Sequence, residues 1–149
     1  MKISPVISKV FLLLAFALTF SLNAAEHEVK MLNSGAGGSM VFDPGFLKVE
    51  VGDTVKFIST DAGHNSVSTL VPEGAKPWAG EIGKEITVTI DKEGVYIYSC
   101  EPHKVMAMVG VIQAGKATNK DAAVKASKEI SSTFVLNKER LDGYLEQVK

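Results

Sequence analysis

Between Tyr98 and Gly110 the chain reads YSCEPHKVMAMVG. This stretch gathers the only cysteine, Cys100, with His103 three residues on and Met106 and Met108 beyond it. A lone cysteine is ordinarily a small buried hydrophobe, and methionines ordinarily fill gaps in a core. Cys-x-x-His is a weak signal on its own. The surroundings make it specific. Pro102 bars a strand ending at Cys100 from continuing as a paired central strand, so the chain turns there, and MVGVIQ (108–113) leads into the next strand. One end of a sheet then presents a thiolate, an imidazole and a thioether together. His64, in DAGHNSV (61–67), follows a strand and a glycine-containing turn and reaches that end from a separate loop. Two imidazoles and a thiolate in a plane, with a weak axial thioether, form an electron-transfer copper centre: soft sulfur favours Cu(I), imidazole suits Cu(II), and the mixed set serves both. His27, close to the amino end of the mature chain, carries no role in this reading.

Other chemistries fit the same residues less well. A cysteine nucleophile needs a base in hydrogen-bond reach and a third group to orient that base. Three-residue Cys–His spacing across a proline supplies neither. A copper-trafficking or storage protein of the same fold is the alternative function, but its ligands would be clustered Met or Cys for Cu(I) alone, whereas here one cysteine joins two histidines on separate loops. Zinc accepts the same donors and would compete for the site.

The elements that must position these side chains are strands. FLKVEV (46–51), TVKFIS (54–59) and EITVTI (85–90) alternate apolar with polar residues, the period of half-buried strands. GVYIYSC (94–100) and MVGVIQ are continuously apolar, as strands covered on both faces are. Turn chemistry separates the runs: NSGAGGS (33–39), DPG (43–45), VGD (51–53), TDAG (60–63) and KEG (92–94). Such spacing predicts a β-sandwich. Residues 68–83, with Pro72, Pro77 and three glycines, read as a long surface loop. The last thirty residues change character. Asn119 is placed to cap a helix to about Ile130 with Ala123, Ala126 and Ile130 on one stripe, and Asn137 to cap a second with Leu141, Tyr144, Leu145 and Val148 aligned.

The 149 residues suffice for one domain. The start is set apart: Lys2 and Lys9 precede the apolar run VFLLLAFALTF, and SLNAA follows. This is the pattern of a bacterial secretory signal peptide. The run is shorter than the roughly 18–20 residues of a spanning helix. Residues 1–24 are therefore expected to be removed, by cleavage after Ala24 or Ala25, leaving 25–149 as a single exported domain with 14 basic side chains against 17 acidic ones. That balance gives no hint of nucleic-acid binding.

With these features in place the chain resembles the type 1 blue copper proteins, the cupredoxins, and among them the pseudoazurins. The resemblance spans essentially the whole mature chain and rests on EVKMLN, MVFDPGFLKVEVGDTVKFI, TDAGHN, GVY, CEPH and MVGVIQ in that order, with two helices closing the chain. It implies a mainly β, Greek-key sandwich with two C-terminal α-helices, and a periplasmic one-electron carrier that is no enzyme and is expected to be a monomer. It implies one type 1 copper ion held by His64, Cys100, His103 and Met108, Met108 standing directly before VGV. Met106 fits the shorter ligand loop of the amicyanins. The implied partners are redox proteins docking briefly at the His103 end, copper nitrite reductase or a c-type cytochrome, with Met40, Pro102 and Met106 on the apolar rim. Lys30, Ser34, Ala36 and Lys104 depart from the pseudoazurin pattern, which weakens the case for nitrite reductase in particular.

Overall fold

The computed structural model describes residues 24–149. The expected signal segment, apart from Ala24, lies outside them. Eight strands form two four-stranded sheets. The first contains β1 (Glu26–Gly35), β2 (Gly38–Asp43), β4 (Thr54–Ile58) and β6 (Ile86–Thr89), in the order β2-β1-β4-β6. The second contains β3 (Phe46–Val49), β5 (Val67–Leu70), β7 (Gly94–Ser99) and β8 (Val109–Ala114), in the order β3-β8-β7-β5. Helices α1 (Lys120–Ser131) and α2 (Arg140–Leu145) follow. No described helix is long and apolar enough to cross a membrane.

The continuous apolar character of β7 and β8 has the cause read from the sequence: both faces of the pair are covered. Tyr96, Tyr98 and Cys100 join Met108, Ile112 and Ala114 in the core between the sheets, with Phe42, Phe57 and Trp78 opposite. The alternate residues Val95, Ile97, Val109 and Val111 pack outward under the helices, against Ala123, Ile130, Leu141, Leu145 and Val148. Gly110 falls on the inner face because Tyr98 fills the space beside it: a Cβ at Gly110 would stand 2.2 Å from the Tyr98 ring.

Three local expectations are corrected. Residues 68–83 are not one surface loop. β5 pairs antiparallel with β7, and Trp78 returns to the core and donates its ring N–H to Ser66 Oγ at 3.0 Å. β5 was hidden because its four residues are mostly half-buried and two of them are Ser68 and Thr69. Asn119 takes the N-cap position of α1, but its side chain makes no capping bond; its amide is held by the backbone N–H and C=O of Val95 at 2.6 and 3.0 Å, tying α1 to β7. The stripe of α1 is as expected, Ala126 packing partly buried beside Ala123 and Ile130, and Ser127 joins it. Asn137 adopts a left-handed conformation before α2, and Glu139 takes the N-cap position.

At the other end of β1, Asp53 accepts from the backbone N–H of Ala25 at 2.9 Å and of Glu50 at 3.0 Å, and lies 2.8 Å from His27 Nε2. The His27 hydrogen bond and these two N–H groups lower the Asp53 carboxyl from 3.8 to about 2. A depressed acid stabilises the fold above its unfolded value and loses that contribution as the pH falls through its folded one. Asp53→Asn is therefore expected to cost about 1–2 kcal/mol at neutral pH. In denaturant titrations the gap to wild type should close between pH 3.8 and about 2.

Candidate metal centre

Three of the four sequence-predicted ligands meet at one end of the sandwich. Cys100 follows β7, its N–H donating to the Met108 carbonyl at 2.9 Å, so that the β7–β8 ladder is closed one pair beyond the strands. The chain between these two residues makes a tight turn with a single 3-10 turn at Lys104–Met106. The Cys100 carbonyl accepts from His103 N at 3.3 Å, which folds the imidazole back toward the sulfur. His64 arrives on the segment between β4 and β5 and is fully buried.

The donor atoms form a small triangle. His64 Nδ1 and His103 Nδ1 are 3.1 Å apart, and Cys100 Sγ lies 3.7 Å from the first and 3.5 Å from the second. A point equidistant from all three is about 2 Å from each, close to first-row metal–imidazole bonds of about 2.0–2.1 Å and a little short of metal–thiolate bonds of about 2.3 Å. Among the described residues this is the one cluster of His, Cys, Asp and Glu donors close enough to share an ion. The donor set thus fits copper on both chemistry and spacing. Met108 is buried in the same core cluster as Cys100, and its N–H donates to the His103 carbonyl at 3.3 Å. Met106, by contrast, is partly exposed.

The partners around the triangle fix its orientation. His64 Nε2 lies 2.9 Å from Asn33 Oδ1, which assigns the ring proton to Nε2 and leaves Nδ1 free to bind. Asn33 is itself anchored, its N–H donating to Asp61 Oδ2 at 2.7 Å. Asn65 joins the two ligand loops: its side chain donates to Glu101 Oε2 at 2.7 Å and accepts from Glu101 N at 2.9 Å. Burial pushes the Cys100 thiol up, and the backbone N–H groups of Asn65 and His103 pull it back down. Burial, and then the neighbouring His103, lower His64, so its ring is held neutral and ready to bind.

Sequence reasoning missed Asn33, which looked like turn chemistry, and missed Arg140. The Arg140 guanidinium donates to the carbonyls of Met40 and Ala107 at 2.9 and 2.8 Å and of Gly37 and Ser39 at 3.2 and 3.1 Å. It thereby ties the turn between β1 and β2 to the ligand loop. No spacing rule connects residues a hundred positions apart.

Comparison with known proteins gives the same picture. Residues 29–115 match the copper-binding proteins of the plastocyanin/azurin family. The chain is 40% identical to pseudoazurin of Methylorubrum extorquens over 140 residues, covering 93% of this chain and 92% of the relative. It is 39% identical to pseudoazurin of Paracoccus pantotrophus over 127 residues, 84% of this chain and 85% of the relative. Among solved structures, native pseudoazurin from Hyphomicrobium denitrificans superposes with a TM-score of 0.76 at 44% identity, covering 84% of this chain and 99% of that one.

Proposed function

The chain belongs to the plastocyanin/azurin family of copper-binding proteins and is a blue copper electron carrier, not an enzyme; from that premise we propose that His64, Cys100, His103 and Met108 hold its copper and that it shuttles single electrons in the periplasm after cleavage behind Ala24 or Ala25. Bound copper would supply the one-electron Cu(II)/Cu(I) couple. The protein supplies everything else. The observation that carries the assignment is the triangle of His64 Nδ1, His103 Nδ1 and Cys100 Sγ, with His64 oriented from behind by Asn33. Donors already placed by buried backbone and side-chain bonds need little movement when the charge on the site changes.

His103 is the entry point for electrons in this reading. His64, Cys100 and Met108 are sealed from solvent, while His103 is half-buried. Around it lie exposed Pro102 and Val105, with Met40 and Met106 partly exposed and Lys104 beside them. The rim continues further than the sequence indicated. Val135 N donates to the Val105 carbonyl at 2.7 Å, and this brings Val135 and Leu136, 71% and 49% exposed, next to the ligand loop. A small apolar patch with charged surroundings suits brief, weak docking to a redox partner. A copper nitrite reductase or a c-type cytochrome is the partner class proposed, with the chain acting as a monomer.

The test is to add Cu(II) to the processed protein and record visible and EPR spectra. An intense thiolate-to-copper band that disappears on reduction supports the reading; a colourless protein with loosely held copper ends it. The axial assignment is tested separately. Met108→Gln is expected to change the spectrum and the reduction potential strongly, because the axial ligand tunes the potential. Met106→Gln should leave both nearly unchanged, and the reverse outcome would reassign the ligand.

A further inference from the structure

The start of β1 carries donors that the centre between the sheets does not use. Cleavage after Ala24 leaves Ala25-Glu26-His27 at the amino terminus, a free α-amine with histidine in the third position. In that spacing the amine, the two intervening amide nitrogens and Nδ1 of the imidazole close a run of fused chelate rings, four nitrogens in a square, the geometry that Cu(II) and Ni(II) prefer. Cleavage after Ala25 would move His27 to the second position, where this ring system cannot close.

The fold has already drawn the two ends of that chelate together. One carboxylate, Asp53, meets Ala25 N through Oδ1 at 2.9 Å and His27 Nε2 through Oδ2 at 2.8 Å. The ring thus spends Nε2 on Asp53 and keeps Nδ1, the nitrogen the chelate needs, for a metal. An imidazole that binds through one nitrogen and meets a carboxylate through the other is the usual arrangement around bound metals. Ala25 and Glu26 are exposed, and 27% of the His27 side chain is accessible.

We propose that processing after Ala24 creates a second metal site, for a square-planar Cu(II) or Ni(II) ion, built from the Ala25 amine, the amide nitrogens of Glu26 and His27, and His27 Nδ1, with Asp53 behind the ring. The proposal rests on the processing half of the proposed function. Binding releases the ammonium proton and two amide protons, so the site weakens steeply in acid. It also requires Glu26 and His27 to leave their register with Thr54 and Val55 on β4, and Ala25 O to give up its bond from Thr54 N. That loss is small, because β1 pairs with β2 only from Lys30 onward and its first residues have a neighbour on one side alone. Six residue steps along the strand take His27 to Asn33 at the other centre, about 20 Å at the rise of a β-strand, so the two ions are held independently. A square of amine, amide and imidazole nitrogens favours the divalent state and has no soft donor for Cu(I). The site captures metal and does not shuttle electrons.

The experiment is a Ni(II) titration of copper-loaded protein prepared to begin at Ala25. Uptake of one equivalent as yellow, diamagnetic square-planar nickel is expected. Two variants should lose that equivalent altogether. His27→Gln removes the imidazole but keeps a group able to bond Asp53. A single glycine added before Ala25 moves the amine out of range without altering any side chain. The proposal is overturned if the Ala25 form gives no square-planar nickel, or if either variant binds nickel as the parent does. The mass of the exported protein tests the premise separately: an amino terminus at Ala25 supports it, and one at Glu26 removes the site from the cell whatever the titration gives.

Discussion

Serine at position 100 is expected to abolish the intense visible band and lower copper affinity by orders of magnitude, while the apoprotein still folds. Cys100 supplies the thiolate of the donor triangle. A serine hydroxyl stays protonated at neutral pH and offers a neutral oxygen where a soft anionic sulfur stood. The site tolerates the change in volume, since serine removes bulk and adds none. The cost to the apoprotein is that of placing a hydroxyl where Cys100 is wholly buried among Phe42, Tyr98 and Met108, about 1–2 kcal/mol. In the parent the buried thiol carries its proton until metal arrives, so copper uptake should also release a proton that the serine variant does not release. Copper titration followed by absorbance, with thermal denaturation of both apoproteins, separates the two effects. A Cys100→Ser protein that kept the band would show that the thiolate is not a ligand.

The parts of this structure that could be read from the sequence share one property: their signal is local. β7 and β8 announced themselves because burial on both faces leaves no polar alternation. His64, Cys100 and His103 stood out because their residue types are potential metal donors and because Pro102 forced a turn between two of them. What remained hidden is held by long-range bonds from ordinary polar residues. Asn33 sits in a run of turn-forming residues, yet its side chain orients a histidine 31 positions away. Asn119 and Asn137 both had the residue type of helix caps. Instead Asn119 bonds the backbone of β7, and Asn137 donates to the Met106 carbonyl at 3.4 Å. Propensity fixed where α1 begins; tertiary contacts decided what the asparagine before it does.

Arg140→Met is expected to destabilise the protein by about 2–4 kcal/mol, since hydrogen bonds to a charged group contribute about 1.5–3 kcal/mol each and these are partly exposed to water. The argument turns on what the guanidinium holds. Its four acceptors are all carbonyls: Gly37 in the turn between β1 and β2, Ser39 and Met40 at the start of β2, and Ala107 in the ligand loop. Ala107 is left-handed at φ 58, a conformation that costs a non-glycine residue, and it directly precedes Met108. Neighbouring carbonyls of the loop are met by the same stretch of chain: Val105 O by Val135 N, and Met106 O by Asn137. The segment leading into α2 therefore acts as a splint along the loop that carries three of the proposed ligands. Methionine keeps the apolar stem of Arg140 and removes every one of its donors. Arg140→Lys should recover little, because a single ammonium cannot span acceptors in two loops as the planar fork does. Thermal denaturation of the apoprotein measures the stability loss. Amide exchange measures where it falls: if the splint holds, protection at residues 105–109 drops before that of the β7–β8 ladder, and copper leaves the variant faster. Unchanged stability and unchanged exchange at those amides would mean the turn between β1 and β2 and the ligand loop keep their shape without Arg140.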